Sequence, residues 1–196
     1  MTGWAHNGRV IMHKIVFSGP VGAGKTTAIA AVSDIPPVVT DVRASDETAD
    51  FKDATTVAMD YGVLNLDSGE RVHLYGTPGQ ERFDFMWEIL SEGALGLVLL
   101  VSNRRPAPLR DLGFFLDAFG PLIRRTRLAV GVTGTDVSRD PSLAEHRRLL
   151  LDRGLRHPVF EVDARRPQDV ATLIQALLLS HDPGLVAGEP APAAAG

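Results

Sequence analysis

Between a short apolar run, His13 to Ser18 (HKIVFS), and an Ala- and Ile-rich stretch, Gly24 to Val32, the chain reads Gly19-Pro20-Val21-Gly22-Ala23-Gly24-Lys25-Thr26. Glycines at 19, 22 and 24 free the backbone to curl so that successive N–H groups point inward, a nest for anionic oxygens. A helix starting at this point adds the positive end of its dipole. Lys25 brings a point charge to the outer phosphates of a nucleotide, and the Thr26 hydroxyl suits Mg²⁺. Gly19, Val21, Gly22, Ala23, Gly24, Lys25, Thr26 and Thr27 are therefore the candidate phosphate-binding residues, with Thr26 also a metal ligand. The pattern specifies nucleotide phosphates and leaves the base open.

Such a loop needs a strand before it and a helix after it. His13–Ser18 is a β-branched and aromatic run that reads as the strand, and Gly24–Val32 as the helix. Further strands are expected at Thr56–Leu66 and Glu70–Tyr75, joined as a hairpin through Asp67-Ser68-Gly69. The continuous apolar runs Ala94–Val101 and Arg127–Thr133 suit strands buried on both faces, and Pro158–Val162 makes a last short one. Helical patterns at Pro108–Phe119, Pro141–Arg153 and Pro167–Leu179 begin with prolines, which a first helical turn tolerates. Ser33–Ala54, with prolines at 36 and 37, reads as a long functional connection without regular structure. The order predicts an α/β domain in three layers, around a mostly parallel six-stranded sheet with one antiparallel strand. Residues 1–12 are expected as a flexible leader, 13–181 as the domain, and 182–196 as a disordered Pro/Ala-rich tail.

Three more segments sit where strands end. Gly76-Thr77-Pro78-Gly79-Gln80-Glu81 resembles the switch II motif D-T-A-G-Q-E of Ras-like GTPases. Thr133-Gly134-Thr135-Asp136 is similar to their base-reading N-K-x-D, and Asp163-Ala164-Arg165 occupies the place of their S-A-K loop. Over residues 13 to 180 the chain thus resembles Ras-like small GTPases, and within them the bacterial branch of MglA and the conservon-encoded GTPases. The resemblance implies a P-loop NTPase fold and a GTP/GDP switch with slow intrinsic GTP hydrolysis and bound Mg²⁺. Residues 34–56 and 76–88 would order with GTP. The Gly79 N–H would meet the γ-phosphate and Gln80 would orient the attacking water as the catalytic residue. Thr133, Asp136 and Ala164 would hold the base, with the Asp136 carboxylate accepting from the guanine N–H edge. Thr55 or Thr56 would be the switch threonine at the metal, with Thr56 favoured because a strand begins there. A roadblock/LC7-type regulatory protein is the implied partner.

The chain departs from that pattern in three places. Gly76 stands where the family has an acid that supports Mg²⁺ through water; Asp41, Asp46 and Asp60 are the candidates to replace it. Val21 replaces a glycine that leaves room for an incoming arginine finger, and Arg43 is a candidate finger in cis. Thr133-Gly134 lacks the lysine whose stem lies over the base. Two rivals follow: a nucleotide-binding scaffold that hardly hydrolyses, and a P-loop small-molecule kinase. The kinase would need an arginine lid, for which Arg104-Arg105 and Arg124-Arg125 are the close candidates. On the segment 83–90, helical spacing puts Phe83, Met86, Trp87 and Leu90 on one buried stripe, and Phe85 and Ile89 opposite as a docking pair.

Bulk composition bounds the rest. The 196 residues fit one domain, with 44% hydrophobic and 22% charged residues. A net charge of -4 argues against a nucleic-acid-coating surface. The absence of cysteine excludes disulfides and a thiolate nucleophile and fits a reducing cytoplasm. It also removes the C-terminal lipidation site, and Thr2 removes the N-terminal one, so no direct membrane anchor is expected.

Overall fold

Two apolar runs become the interior of one sheet. Every residue of β5 (Gly96–Ser102) is buried, and so is every residue of β6 (Arg127–Thr133) after Arg127. The computed structural model describes residues 12–36, 38–42, 57–66, 69–80 and 84–179. In it β1 (Met12–Ser18) lies beside β5, flanked on its other side by β4 (Arg71–Gly76), β3 (Val57–Asn65) and β2 (Val38–Val42). With β7 (Val159–Glu161) beyond β6, the sheet has seven strands in the order β2-β3-β4-β1-β5-β6-β7. Only β3 runs against the rest, pairing antiparallel with both β2 and β4. The fold is that of a P-loop NTPase, a mostly parallel sheet with one antiparallel strand.

The sheet exceeds the expected six strands by β2, which lies inside the connection read as structureless. Val38 to Val42 pair with Tyr61 to Val57. The two prolines precede this strand rather than interrupt it, and an edge strand bonds on one side only, so its apolar pattern is weak. The leader at 1–11, most of the connection at 43–56 and the tail from 180 lie outside the described residues.

Strand alternation divides the core. Val16, Leu97 and Leu99 point to one face, against Trp87, Leu112, Phe115 and Leu150. These belong to α2 (Asp84–Ser91), α3 (Pro108–Ala118) and α5 (Leu143–Asp152). Ile15, Phe17, Val98 and Leu100 point to the other, against Ala28, Ile29, Leu173 and Ile174. Those come from α1 (Lys25–Val32) and α6 (Pro167–Leu179). A short helix not expected from sequence, α4 (Gly120–Arg125), follows α3 directly; Pro121 sits in its first turn, where a proline is tolerated. A capping box starts α5: the Ser142 N–H donates to the Glu145 carboxylate at 2.7 Å, and the Glu145 N–H returns to the Ser142 hydroxyl at 3.4 Å.

Leu99 is fully buried at the centre of the α2–α5 face. Leu99→Ala is expected to lower unfolding free energy by about 2–5 kcal/mol in urea denaturation while the native circular dichroism spectrum is kept.

Candidate functional site

The phosphate loop is shaped by contacts a side chain would forbid. Gly19 has φ +135°, and a Cβ on it would lie 1.9 Å from the Leu100 carbonyl oxygen, so the loop leaves β1 pressed against the β5 backbone. Gly24 has φ +97°, and its Cβ would meet the Ala164 methyl at 3.0 Å. The loop is tied from below by Thr133, whose buried hydroxyl lies 3.0 Å from the Ala23 carbonyl and 3.2 Å from that of Val101. It is tied from the side by Arg105, which donates to the Val21 carbonyl at 3.1 Å and pairs with Asp111 on α3. Val21 itself is 55% exposed on the loop's outer rim.

Lys25 folds back onto its own loop. Its ammonium donates to the Gly19 carbonyl at 2.7 Å and the Pro20 carbonyl at 2.9 Å. Burial lowers its pKa to about 8, opposed by the Asp60 charge and assisted by that of Arg105. Gly79, from the segment after β4, closes over it: a Cβ there would lie 2.6 Å from the Val21 nitrogen and 2.8 Å from Lys25 Nζ. That segment is fixed at both ends. The Thr77 hydroxyl donates to Ser18 at 2.8 Å, and the Trp87 indole of α2 donates to the Pro78 carbonyl at 3.1 Å. Gln80 follows on the exposed side, and the next three residues lie outside the described ones.

Thr26 has a partner that sequence offered only as one of three. Its hydroxyl donates to Asp60 Oδ2 at 2.7 Å. Asp60 stands directly opposite Gly76 in the β3–β4 ladder, and a Cβ at Gly76 would lie 2.9 Å from both Asp60 Cβ and Oδ2. A carboxylate from β3 therefore fills the space that a residue at 76 would use. The side chain of Asp41, with Asp46, Arg43, Thr55 and Thr56, lies outside the described residues. Among the described residues, no cluster of three or more His or acidic groups forms a ready-made metal cage. A hydroxyl beside a carboxylate is nonetheless a hard-oxygen pair that suits Mg²⁺, which leaves most of its shell to phosphate and water.

The segments expected to hold the base converge. Gly22, Gly24 and Thr27 share one open cleft of about 430 Å³ with Thr133, Asp136 and Ala164. Asp136 is met by the Arg104 guanidinium at 2.9 and 3.0 Å, with Arg165 4.0 Å away. The hydrogen bond from Arg104 holds its carboxyl below the usual range, with Arg165 adding to the effect. Asp163 is held lower still by the side chain and then the backbone N–H of Arg165. Arg104 and Arg105, noted in the sequence only as a possible lid pair, thus reach the cleft and the phosphate loop; their signal was position, immediately after a buried strand. On α2, Met86, Trp87 and Leu90 are buried as the spacing predicts and Ile89 is 62% exposed; Phe83 and the Phe85 side chain lie outside the described residues.

Comparison with known proteins agrees with a phosphate-loop protein. Residues 34–130 match the model of a family described as a conserved hypothetical ATP binding protein; the match is just under half the chain and begins downstream of the phosphate loop. An uncharacterized protein of Methanocaldococcus jannaschii, MJ1339, is 35% identical over 92 residues, 46% of this chain and 52% of the relative. This chain thus spans about half of that relative's length. The protein named "Probable acetate kinase EutP" of Escherichia coli K12 is 28% identical over 175 residues, 85% of this chain and 89% of the relative. The chain is a nucleotide-binding protein of the P-loop type. Among the described residues no helix is long and apolar enough to cross a membrane.

Two predictions test this geometry. Gly76→Ala should cost about 1–3 kcal/mol of stability by crowding Asp60, and most of that cost should vanish in an Asp60→Gly background. A double-mutant cycle of denaturation free energies reads the coupling directly. The second concerns Lys25. With a folded pKa near 8 and an unfolded one near 10.4, the unfolded chain binds more protons between those values, so stability should rise with pH across that window. Phosphate restores the charged form, so nucleotide binding near pH 8 should take up protons. Calorimetry in two buffers of different ionisation enthalpy measures the uptake, which Lys25→Met should abolish.

Proposed function

We propose that the protein binds GTP and GDP with Mg²⁺ and hydrolyses GTP slowly, acting as a nucleotide-dependent switch. One observation carries this reading: the phosphate loop, the Thr133–Asp136 turn and the Asp163–Arg165 loop, far apart in sequence, line a single cleft. The loop N–H groups and Lys25 would take the phosphates, and the Asp136 carboxylate would accept from the guanine N1–H and 2-amino groups. Adenine presents an acceptor at N1, which faces a carboxylate badly, so this reading favours guanine over the base that the matched family's description names.

Mg²⁺ would be held by Thr26 and, through water, by Asp60, with Thr56 or Thr55 joining in the GTP state. When bound it would screen charge on the phosphate oxygens. The residues around it do the remaining work. Gly79 brings its backbone against the phosphate loop, where its N–H would reach the terminal phosphate, and Gln80, next in the chain, would orient water. Val21 projects from the rim where an arginine finger would enter, which favours slow turnover and leaves acceleration to a partner that acts otherwise. A roadblock-type regulator is the partner implied by the resemblance to MglA-like proteins, and the exposed Ile89 on α2 is the residue through which it would be sought.

A second reading is favoured by the similarity to EutP along 85% of the chain: transfer of the terminal phosphate to a small carboxylate. One experiment separates the two. Under single-turnover conditions, GTP with the purified chain should release inorganic phosphate at the same rate with and without acetate, and no acyl phosphate should be trapped by hydroxylamine. Trapped acyl phosphate would move the assignment to the kinase. Asp136→Asn should weaken GDP binding by about tenfold or more and shift preference to xanthosine diphosphate, whose 2-oxo group accepts from the amide. Equal affinity of the unaltered protein for ADP and GDP would remove the guanine assignment.

A further inference from the structure

Arg104 lies in the cleft in a way the phosphate-loop reading does not use. It leaves the end of β5 with its backbone N–H held by the Ser102 hydroxyl at 3.3 Å. Its stem then crosses Gly134: a Cβ on Gly134 would lie 2.7 Å from Arg104 Cγ and 3.3 Å from Cδ. Only a residue without a side chain lets the stem pass, and Gly134 also has φ +73°, which an L side chain rarely adopts. The guanidinium ends on Asp136 with hydrogen bonds to both carboxylate oxygens.

We infer that Arg104 is the residue that covers the purine ring, supplied from β5 across the gap left by Gly134. The inference rests on the proposed use of Asp136 as the reader of the base edge. A base edge that takes both oxygens of Asp136 competes there with the guanidinium, whose one nitrogen bonds the two of them. Its Cγ and Cδ lie against Gly134 and its backbone N–H is bonded to the Ser102 hydroxyl, so the root of the side chain is placed apart from its head. The head swings aside while the stem stays, which leaves a planar cation over the face of the ring, an arrangement that Arg supports by stacking and by cation–π attraction. The pair it abandons is cheap to break: Arg104 and Asp136 are 53% and 56% exposed, and exposed ion pairs contribute little. Cover gained on binding therefore outweighs the pair lost.

Stacking does not read the edge of a base, whereas Asp136 does, so the two residues have separable signatures. Full-length protein is titrated by calorimetry with GDP, xanthosine diphosphate and ADP for the unaltered chain and for Arg104→Ala, Arg104→Lys and Asp136→Asn. Arg104→Ala should weaken all three ligands together by roughly two- to thirtyfold, leaving their order unchanged. Arg104→Lys should recover part of the loss, because a lysine stem still lies on Gly134 without a plane to stack. Asp136→Asn should instead reorder GDP and xanthosine diphosphate and leave ADP nearly unchanged. If Arg104→Ala leaves the affinities unchanged, or tightens GDP, the arginine merely neutralises an empty carboxylate and the inference is overturned. If Asp136→Asn reorders nothing, the guanine reading fails and the cover, which rests on it, falls with it, whereas a null result confined to Arg104→Ala overturns the cover alone.

Discussion

The backbone of Gly19 lies so close to β5 that a Cβ on it would sit 1.9 Å from the Leu100 carbonyl oxygen. That contact fixes where the phosphate loop leaves the sheet. β1 has β4 on one side and β5 on the other, so the loop emerges where the chain runs to opposite sides of the sheet. Crevices at the carboxyl ends of parallel strands open at such points. The other site segments follow from the same ends: Thr77–Gln80 from β4, Arg104 from β5, Thr133–Asp136 from β6 and Asp163–Arg165 from β7. A loop displaced from Leu100 would lose its register with all of them, because Thr133 binds the Ala23 carbonyl and Ala164 packs beneath Gly24.

Two glycines carry meaning only through their neighbours. Gly76 and Gly134 both stand where the motifs that the chain resembles have a functional side chain, and in isolation each reads as a loss. Across the ladder from Gly76, Asp60 occupies the vacated volume and reaches Thr26; over Gly134, the Arg104 stem does the same and reaches Asp136. Neither glycine could carry its usual side chain without expelling the neighbour. A group moved to the adjacent strand can aim at the same point, since neighbouring strands lie only about 5 Å apart.

The chemistry that lies along one stretch of chain was legible in the sequence, and the chemistry that lies across stretches was not. Gly19–Thr26 declares itself because every contact it would make to a phosphate comes from consecutive residues. The strand β6 and the helix α6 were readable from an apolar run and a proline start. Asp60 was one acid among three, because spacing along β3 says nothing about which residue of β4 it opposes. The strand β2 escaped notice for want of a second apolar face, and α4 because Gly120-Pro121 reads as an interruption when it is a beginning. Arg104 was legible only as one of a possible lid pair; its stem lies over Gly134, thirty positions away.

Charged and polar groups of the candidate site are partnered within the protein. Lys25 is bound to loop carbonyls, Thr26 to Asp60, Asp136 to Arg104 and Asp163 to Arg165. Ligand binding is then an exchange of partners, and its free energy is a difference between hydrogen bonds made and hydrogen bonds given up. The exchange is unequal along the cleft. At the phosphate end the incoming oxygens are anionic and relieve an ammonium whose burial has lowered its pKa to about 8, so the gain is large and insensitive to the base. At the proposed base end an exposed pair would be traded for an uncharged edge, so the gain would be small and its sign would depend on whether that edge donates or accepts. On the proposed reading, affinity would be set by the phosphates and discrimination by the base, so that a modest difference at Asp136 would decide between nucleotides that share the same phosphate chain.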